Sequence, residues 1–393
     1  MKNIAKYVIV TILIVFCSVY LFNRCPYFEQ VTPEPLVQNE KPGNVPVKEI
    51  SDEVKQKVKS MTLEEKIYQM FYVTPEQLTG VGEVIQAGAT TKEMIEKYPV
   101  GGIVYSSHNL QTPEQAKSLL GKSQEYAKFP MFLGVFEEGG SNTVIGDNSS
   151  MGLEEIEMMA DVSDYDRAYE IGGIIGEKLA ELGLNMNFAP VSDVIGDECV
   201  NVIGLRSFGN DYNSVSKKVE QYVMGMQEKG ISATLKHFPG QGYTEGGTEL
   251  DYVKNNRSAK DIKSEELAPF KKGIEADVDF IMVGNIKAKN LDPDNPAPFS
   301  YKIVTELLKE ELGYTGIIIT APLTDGAVKN WYTSADAAKE AVKAGVDMLL
   351  MPNDFKIAYK AIYDAVKSGE IAESRIDESV MKIMQCKADK GLF

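Results

Sequence analysis

The chain has 393 residues, of which 41 are Lys or Arg and 57 are Asp or Glu, so its formal net charge is −16. An apolar fraction of 44% and a charged fraction of 25% are typical of a folded globular protein and exclude a disordered chain. The acidic balance argues against a nucleic-acid partner, because phosphate neutralisation needs clustered Lys and Arg and the chain has no such cluster.

The cysteine and histidine content excludes several metal and redox motifs. The four cysteines Cys17, Cys25, Cys199 and Cys386 include no C-x-x-C pair, which excludes a zinc ribbon or a thioredoxin-type motif. Whether Cys199 and Cys386 form a disulfide depends on geometry, so that pairing stays open. Two His residues are too few for a His-rich metal site, and no spacing matches a calcium loop. We expect neither a metal nor a cofactor.

The first residues of the chain are strongly apolar. Residues 7–22 carry no charge and follow Lys2 and Lys6. This run of 16 residues is slightly shorter than the ~20 that span a bilayer, and Ile4 and Ala5 extend it. No small-residue cleavage site follows the run. The pattern predicts an uncleaved signal anchor in residues 1–25 that contacts the membrane through residues 4–22. The preceding lysines favour a single-pass protein whose remaining chain is extracytoplasmic. A cleaved signal peptide, which would give a secreted protein, is the alternative.

A linker precedes the first predicted helices. Residues 26–49 contain five prolines and predict a semi-extended tether. Regular structure is expected to begin after Ser51, which is an N-cap candidate. Thr62 and Glu65 have the spacing of a capping box, which predicts a helix over residues 63–73.

The rest of the chain alternates continuous apolar runs with amphipathic segments. Continuous runs are typical of parallel strands that are covered on both faces, and several amphipathic segments end in Gly, a usual C-cap. Seven or eight βα units without a GxGxxG turn predict an α/β fold, namely a single (β/α)8 TIM-barrel-like domain over residues 50–393. The apolar runs are VGGIVYS (100–106), MFLGVFE (131–137), LNMNFAPVSD (184–193), SATLKHFPG (232–240), VDFIMVGN (278–285), GIIITAPL (316–323) and VDMLLMP (346–352).

Polar residues at the C-terminal ends of barrel strands face the functional site in this type of fold. Besides the stretch after Thr320, that rule selects Glu138, Asp193, Lys236, His237 and Asn285.

At these strand ends the chain resembles the family 3 glycoside hydrolases, specifically their single-domain β-N-acetylglucosaminidase branch. RSFG followed by KHFPG, with RIDESV near the end of the chain, is the most specific part of a resemblance that covers residues 55–393. The resemblance implies a retaining hydrolase of terminal β-linked N-acetylglucosamine, often from peptidoglycan, and hence a role in cell-wall carbohydrate metabolism. Such enzymes use a carboxylate nucleophile and a covalent glycosyl intermediate. In this branch a His-Asp dyad on a mobile loop transfers the proton.

The positions that the resemblance assigns to chemistry are substituted in this chain. Ala321 stands where the family has its nucleophilic Asp, and a methyl group cannot attack an anomeric carbon. Gly247 and Glu249 stand where the dyad would be, and Phe136 replaces an Asp that holds a sugar hydroxyl. These four positions indicate a degenerate catalytic centre. Substrate-binding positions that the chain retains are Arg206, Lys236, His237 and Asp193.

Three functional hypotheses follow from this combination. The first is a pseudoenzyme that binds a saccharide, such as a peptidoglycan fragment, or an unidentified protein partner. The second is an active β-N-acetylhexosaminidase with relocated carboxylates, Asp325 and Glu249; a carboxyl pair about 5–5.5 Å apart would support it. The third is an extracytoplasmic scaffold whose cleft is closed by Phe136 and Tyr243.

The retained residues also have structural interpretations. Arg206 could simply pair with Asp193 or Asp197 instead of binding a sugar. Lys236 and His237 could be buried barrel-end residues, with His237 bonded to a neighbouring carbonyl, as readily as sugar-binding groups.

Overall fold

The structure is a computed structural model that describes residues 49–196 and 202–393. The predicted anchor in residues 1–25, nearly all of the predicted linker, Asp197 and Cys199 lie outside the described residues, so those predictions stand as made. Within the described ranges, no helix combines the length and the apolar character that crossing a membrane requires.

Eight short parallel strands form a ring at the centre of the domain. β10–β1–β2–β3–β4 form one sheet and β5–β7–β9 a second. Parallel bridges from Met186 to Ser232 and from Ile319 to Met348 join the two sheets at both edges, while β6 and β8 form a separate pair. This α/β arrangement of parallel strands agrees with the predicted TIM-barrel-like domain. The strands are β1 (Phe71–Val73), β2 (Gly102–Val104), β3 (Phe132–Val135), β4 (Met186–Asn187), β5 (Thr234–Phe238), β6 (Val253–Lys254), β7 (Phe280–Val283), β8 (Ile286–Lys287), β9 (Ile317–Thr320) and β10 (Leu349–Leu350).

Helices between the strands pack their apolar faces on this ring. Lys302–Glu311 and the short segment Ile262–Glu266 are wound as π-helices. The α-helices are Asp52–Ser60, Leu63–Gln69, Pro75–Thr79, Ala89–Lys97, Pro113–Tyr126, Tyr165–Leu182, Tyr212–Gln227, Ala259–Asp261, Ala268–Glu275, Gly326–Lys329, Ser334–Ala344, Phe355–Ser368 and Glu373–Asp389.

Both predicted helix starts at the beginning of the domain are confirmed. Ser51 is the N-cap of the first helix, and its hydroxyl accepts a hydrogen bond from the Val54 amide. The Thr62 hydroxyl accepts from the Glu65 amide while the Glu65 carboxylate accepts from the Thr62 amide, which completes the capping box.

The predicted helix over residues 63–73 is too long. The helix ends at Gln69, and Phe71–Val73 form β1, in which Tyr72 pairs with Gly102 of β2 and Leu350 of β10. All three residues of β1 are buried. Three apolar residues directly after an amphipathic helix continue its pattern, so the sequence period alone does not separate them from the helix.

A buried lysine lies at the opposite end of the ring from the strand ends where a site is expected. The Lys387 ammonium donates to Gln69 Oε1 over 2.7 Å and lies 5.1 Å from the centre of the Phe132 ring. Gln69 precedes β1 and Phe132 begins β3, so this is the N-terminal end of the strands. Within the described chain no carboxylate forms an ion pair with Lys387, and burial lowers its pKa to about 7.

This lysine predicts a stability that rises with pH. Its pKa is about 7 in the folded state against 10.5 as the ordinary value, so between these values the unfolded state binds more protons. The contribution of Lys387 to the free energy of unfolding is therefore lowest below pH ~7 and rises toward pH ~10. From pH ~7 to ~9 we expect the free energy of unfolding to rise by about 2 kcal/mol relative to Lys387→Met. Urea unfolding at both pH values measures the difference, and parallel pH profiles for the two proteins would contradict the expectation.

Candidate active site

A cavity of about 400 Å³ lies at the C-terminal ends of β3, β5, β7 and β9. Its position agrees with the rule that selected the strand ends in the sequence. Three of the predicted sugar-binding residues and both fallback carboxylates reach it. The lining residues are Phe136, Ser141, Asn142, Val202, Arg206, Lys236, His237, Gln241, Thr248, Glu249, Met282, Asn285, Ala321, Pro322 and Asp325.

Behind the cavity wall, one buried carboxylate binds two cations. Arg206 donates to Glu138 through Nε and Nη2 over 2.7 and 2.8 Å, and the Lys236 ammonium donates to Glu138 Oε1. Glu138 and Lys236 are buried, whereas Arg206 is 20% exposed. Arg206 binds Glu138 in a fork geometry through Nε and Nη2 and forms no ion pair with Asp193 among the described residues, so the predicted pairing with Asp193 is wrong. Asp197 lies outside the described residues.

The two cations set the charge state of Glu138. Burial alone would raise the pKa of Glu138, but Lys236 and Arg206 outweigh burial and hold that pKa at about 2. Burial lowers the pKa of Lys236 to about 8 against the attraction of Glu138. At neutral pH the three groups are charged, so this cluster carries one net positive charge.

His237 is held by Asp193, which is completely buried. His237 Nδ1 lies 2.8 Å from Asp193 Oδ2, and the backbone amide of Gln241 donates to Asp193 Oδ1 over 2.7 Å. The partner of His237 is thus a carboxylate and not the predicted backbone carbonyl. Burial lowers the pKa of His237 in spite of Asp193. A neutral imidazole that donates from Nδ1 leaves Nε2 as an acceptor.

The opposite side of the cavity carries acceptors. Asp325 follows β9, is half-buried, and accepts from the Thr248 hydroxyl over 2.6 Å and from Asn285 Nδ2 over 3.3 Å. Burial raises the pKa of Asp325. Asn285 Nδ2 also donates to Pro322 O, while Asn285 Oδ1 is buried and has no hydrogen-bond partner among the described residues.

The loop that carries Glu249 is fixed against the turn after Asp325. The amides of Gly326 and Ala327 donate to the carbonyls of Glu249 and Thr248, each over 3.0 Å. A Cβ at Gly326 would lie 2.3 Å from the Glu249 carbonyl oxygen, so this close approach requires glycine. Glu249 itself is exposed at the cavity mouth. Gly247 is close to Glu249 but does not line the cavity. A Cβ built on Gly247 would lie 2.0 Å from Glu249 Oε2.

The cavity is open, so the hypothesis of a closed cleft is wrong. Phe136 stacks on Phe188 with ring centres 4.6 Å apart and forms a wall instead of a plug. The Lys236 ammonium lies 4.9 Å from the Phe136 ring centre. Tyr243 does not line the cavity; the Arg257 guanidinium stacks on its ring at 3.9 Å.

The sequence analysis did not predict the function of some site residues. Glu138 was selected by its place after β3, but its function as the anchor of two cations was not foreseen. Thr248 was missed because its contact with Asp325 joins segments 77 residues apart. The polar residue at the end of β7, Asn285, did carry the strand-end signal.

Comparison with known families identifies the relationship. Residues 62–386 match the glycosyl hydrolase family 3 N terminal domain. The chain belongs to glycosyl hydrolase family 3. This confirms the resemblance that the strand-end motifs carry.

Two relatives of this chain are named β-hexosaminidases. β-Hexosaminidase A of Pseudoalteromonas piscicida is 28% identical over 326 residues, which cover 75% of this chain and 54% of that protein. This chain therefore spans about half the length of that relative. A β-hexosaminidase of Tolumonas auensis is 32% identical over 287 residues, covering 71% of this chain and 83% of that protein.

A solved structure of the same family has the same fold. The family 3 β-N-acetylglucosaminidase from Paenibacillus sp. str. FPU-7 aligns with a TM-score of 0.79 at 32% identity. The alignment covers 85% of this chain and 63% of that chain.

Proposed function

We propose that this family 3 protein binds a saccharide in the strand-end cavity and has lost the hydrolytic step. The observation that carries the proposal is the side chain of Ala321, which contributes only a methyl group to the cavity wall after β9. The retained groups Arg206, Lys236 and His237 line the same cavity. Arg206 and His237 are partly exposed, so they can donate to or accept from sugar hydroxyls, while the buried Lys236 acts through Glu138. The names of the relatives favour a hexosaminide as ligand. A peptidoglycan fragment met outside the membrane is consistent with the predicted anchor in residues 4–22.

A second candidate is an active β-N-acetylhexosaminidase with relocated carboxylates. It is favoured by one observation, namely that Asp325 and Glu249 line the same cavity as the sugar-binding groups. Burial raises the pKa of Asp325, which suits a proton donor better than a nucleophile. For this reason we rank saccharide binding first.

Hydrolysis and binding measured on the same protein separate the two candidates. We expect the full chain, kept in a detergent without a sugar headgroup, to release no chromophore from 4-nitrophenyl β-glucosaminides above the blank. In calorimetry it should nevertheless bind N-acetylglucosamine or its disaccharide chitobiose. Arg206→Met should reduce that affinity by about tenfold, as expected for the loss of one charged hydrogen-bond donor. Turnover that disappears in Asp325→Asn would instead establish the relocated enzyme.

A further inference from the structure

We infer that the rim of the cavity carries a second saccharide subsite, in which a sugar unit stacks on the exposed ring of Trp331. The ligand is then an oligosaccharide of at least two units, the first in the cavity and the next on the rim. This inference rests on the proposed saccharide-binding function and specifies the size of its ligand.

Trp331 is attached to the loop that forms one side of the cavity mouth. It follows the short helix Gly326–Lys329, which comes after β9. Trp331 Nε1 donates to Asp251 Oδ1 over 2.8 Å, and the neighbouring Asn330 donates through Nδ2 to the Leu250 carbonyl over 2.9 Å. These two bonds extend the contact that the first amides of the helix make with the same loop.

The segment 248–251 of this loop runs from the cavity wall to the solvent. Each of its four residues accepts a hydrogen bond from the segment 326–331, so the two segments lie side by side. The first two residues of the segment line the cavity, and Glu249 is exposed at the mouth. The Cα atoms of Glu249 and Asp251 lie at most ~7 Å apart, a distance comparable with the length of one pyranose ring. The Trp331 ring is therefore within reach of a sugar unit that is linked to one in the cavity.

The Trp331 ring is held in place although most of it is exposed. Its exposed fraction is 62%, while its N–H is bonded to Asp251 within the protein. The Lys287 ammonium lies over the ring, 5.4 Å from its centre, and 4.7 Å from the centre of the Tyr252 ring. A ring that has a cation over one face and is so exposed presents its other face to solvent. Because the ring is oriented before any ligand arrives, binding loses little side-chain freedom.

The chemistry around the ring matches a sugar. The C–H face of a pyranose carries partial positive charge and fits the negative face of an aromatic ring. Lys287 offers donors and Asp251 an acceptor beside the ring, as the hydroxyls at the edge of a sugar require.

A protein partner fits this surface less well than a sugar unit. Within residues 248–255 and 326–333, Leu250 and Trp331 are the only large hydrophobic side chains that are exposed. Two side chains fall well short of the ~800 Å² that each partner buries in a stable protein interface.

Fluorescence and calorimetry on the full chain, kept in a detergent without a sugar headgroup, test the inference. Trp331 is the single tryptophan of the chain, so the tryptophan emission reports on its ring alone. We expect chitobiose to shift this emission to shorter wavelength, because a stacked sugar displaces water, and N-acetylglucosamine to leave it unchanged. Chitobiose should also bind about tenfold more tightly than N-acetylglucosamine.

Three variants assign this preference to the ring. Trp331→Ala should remove most of the preference and leave the affinity for N-acetylglucosamine within about twofold. Trp331→Phe keeps a flat ring without the N–H and should retain most of the preference. The matched control is Phe393→Ala, because Phe393 is also an exposed ring, with the Lys57 ammonium 5.6 Å from its centre, and does not line the cavity.

Several results would overturn the rim subsite and leave the proposed saccharide binding intact. These are chitobiose that binds no more tightly than N-acetylglucosamine or leaves the emission unchanged, and an equal loss of preference in Phe393→Ala. An equal loss in Trp331→Phe and Trp331→Ala would assign the effect to the hydrogen bond with Asp251 and also overturn the subsite. So would a Trp331→Ala protein that loses affinity for both sugars alike, since the loop itself would then be altered. No binding of either sugar to the unaltered chain would overturn the proposed function itself.

Discussion

Replacing Glu138 by Ala should reduce the free energy of unfolding by about 3–5 kcal/mol, the usual cost of breaking a buried ion pair from one side. The substitution leaves the buried Lys236 ammonium and the mostly buried Arg206 guanidinium without the carboxylate that both bind. Only 1% of the Lys236 side chain is exposed, so water can replace the lost carboxylate poorly. Urea unfolding at neutral pH measures the change.

A surface pair of the same geometry provides the control. Arg167 donates to Glu157 through Nε and Nη2, each over 2.8 Å, but the two side chains are 27% and 32% exposed. Solvent screens such a pair, so Glu157→Ala should cost at most about 1 kcal/mol. If Glu138→Ala and Glu157→Ala lowered the free energy of unfolding equally, burial of the ion pair would not be the cause of the larger loss expected for Glu138→Ala.

The same carboxylate predicts the response to acid. The pKa of Glu138 is about 2 in the folded protein against 4.5 as its ordinary value. The contribution of ionised Glu138 to the free energy of unfolding is therefore fully present above pH ~4.5 and is lost as the pH falls toward ~2. In that window the unaltered chain should lose stability more steeply than Glu138→Ala, because only the unaltered chain takes up this proton on unfolding.

The parts of the fold that the sequence predicted are those that depend on local burial. Seven continuous apolar runs each contain one strand of the ring, because a parallel strand covered on both faces needs apolar residues on both. β1 was missed because three residues are too few to show a period. The capping box at Thr62 was predicted correctly because all of its atoms lie within four residues.

The site was predictable in position but not in its pairings. Strand ends meet at one edge of a barrel, so Lys236, His237 and Asn285 could be placed together from the sequence. The partner of Arg206 could not, since the Glu138–Arg206 contact joins residues 68 apart and several carboxylates compete for it. The orphaned oxygen of Asn285 depends on where Pro322 and Asp325 place their own oxygens, which only the folded chain defines.

Ala321→Asp should convert the binding protein into one that cleaves an activated glycoside. Ala321 is nearly fully buried and is fixed where β9 ends, since its amide donates to Val283 O over 2.8 Å. A carboxylate at this position enters the cavity wall among the sugar-binding groups. With a nitrophenolate leaving group, departure needs little protonation, so the first step requires mainly the nucleophile. We expect cleavage to exceed that of the unaltered chain by on the order of 100-fold, because a nucleophile is worth several powers of ten in hydrolases.

The matched control is Ala321→Asn, which has the same size and cannot form a stable glycosyl ester. No general base is restored in Ala321→Asp, so the second step should be slow and the covalent intermediate should accumulate. The expected result is a burst of nitrophenolate close to one equivalent, and a mass increase of one sugar residue on the peptide that contains position 321. A burst that appears equally in Ala321→Asn, or a mass increase located at Asp325, would contradict Ala321 as the vacant nucleophile position. If Ala321→Asp shows no burst and no mass increase but still binds the saccharide, the bound anomeric carbon lies out of reach of a carboxylate at this position.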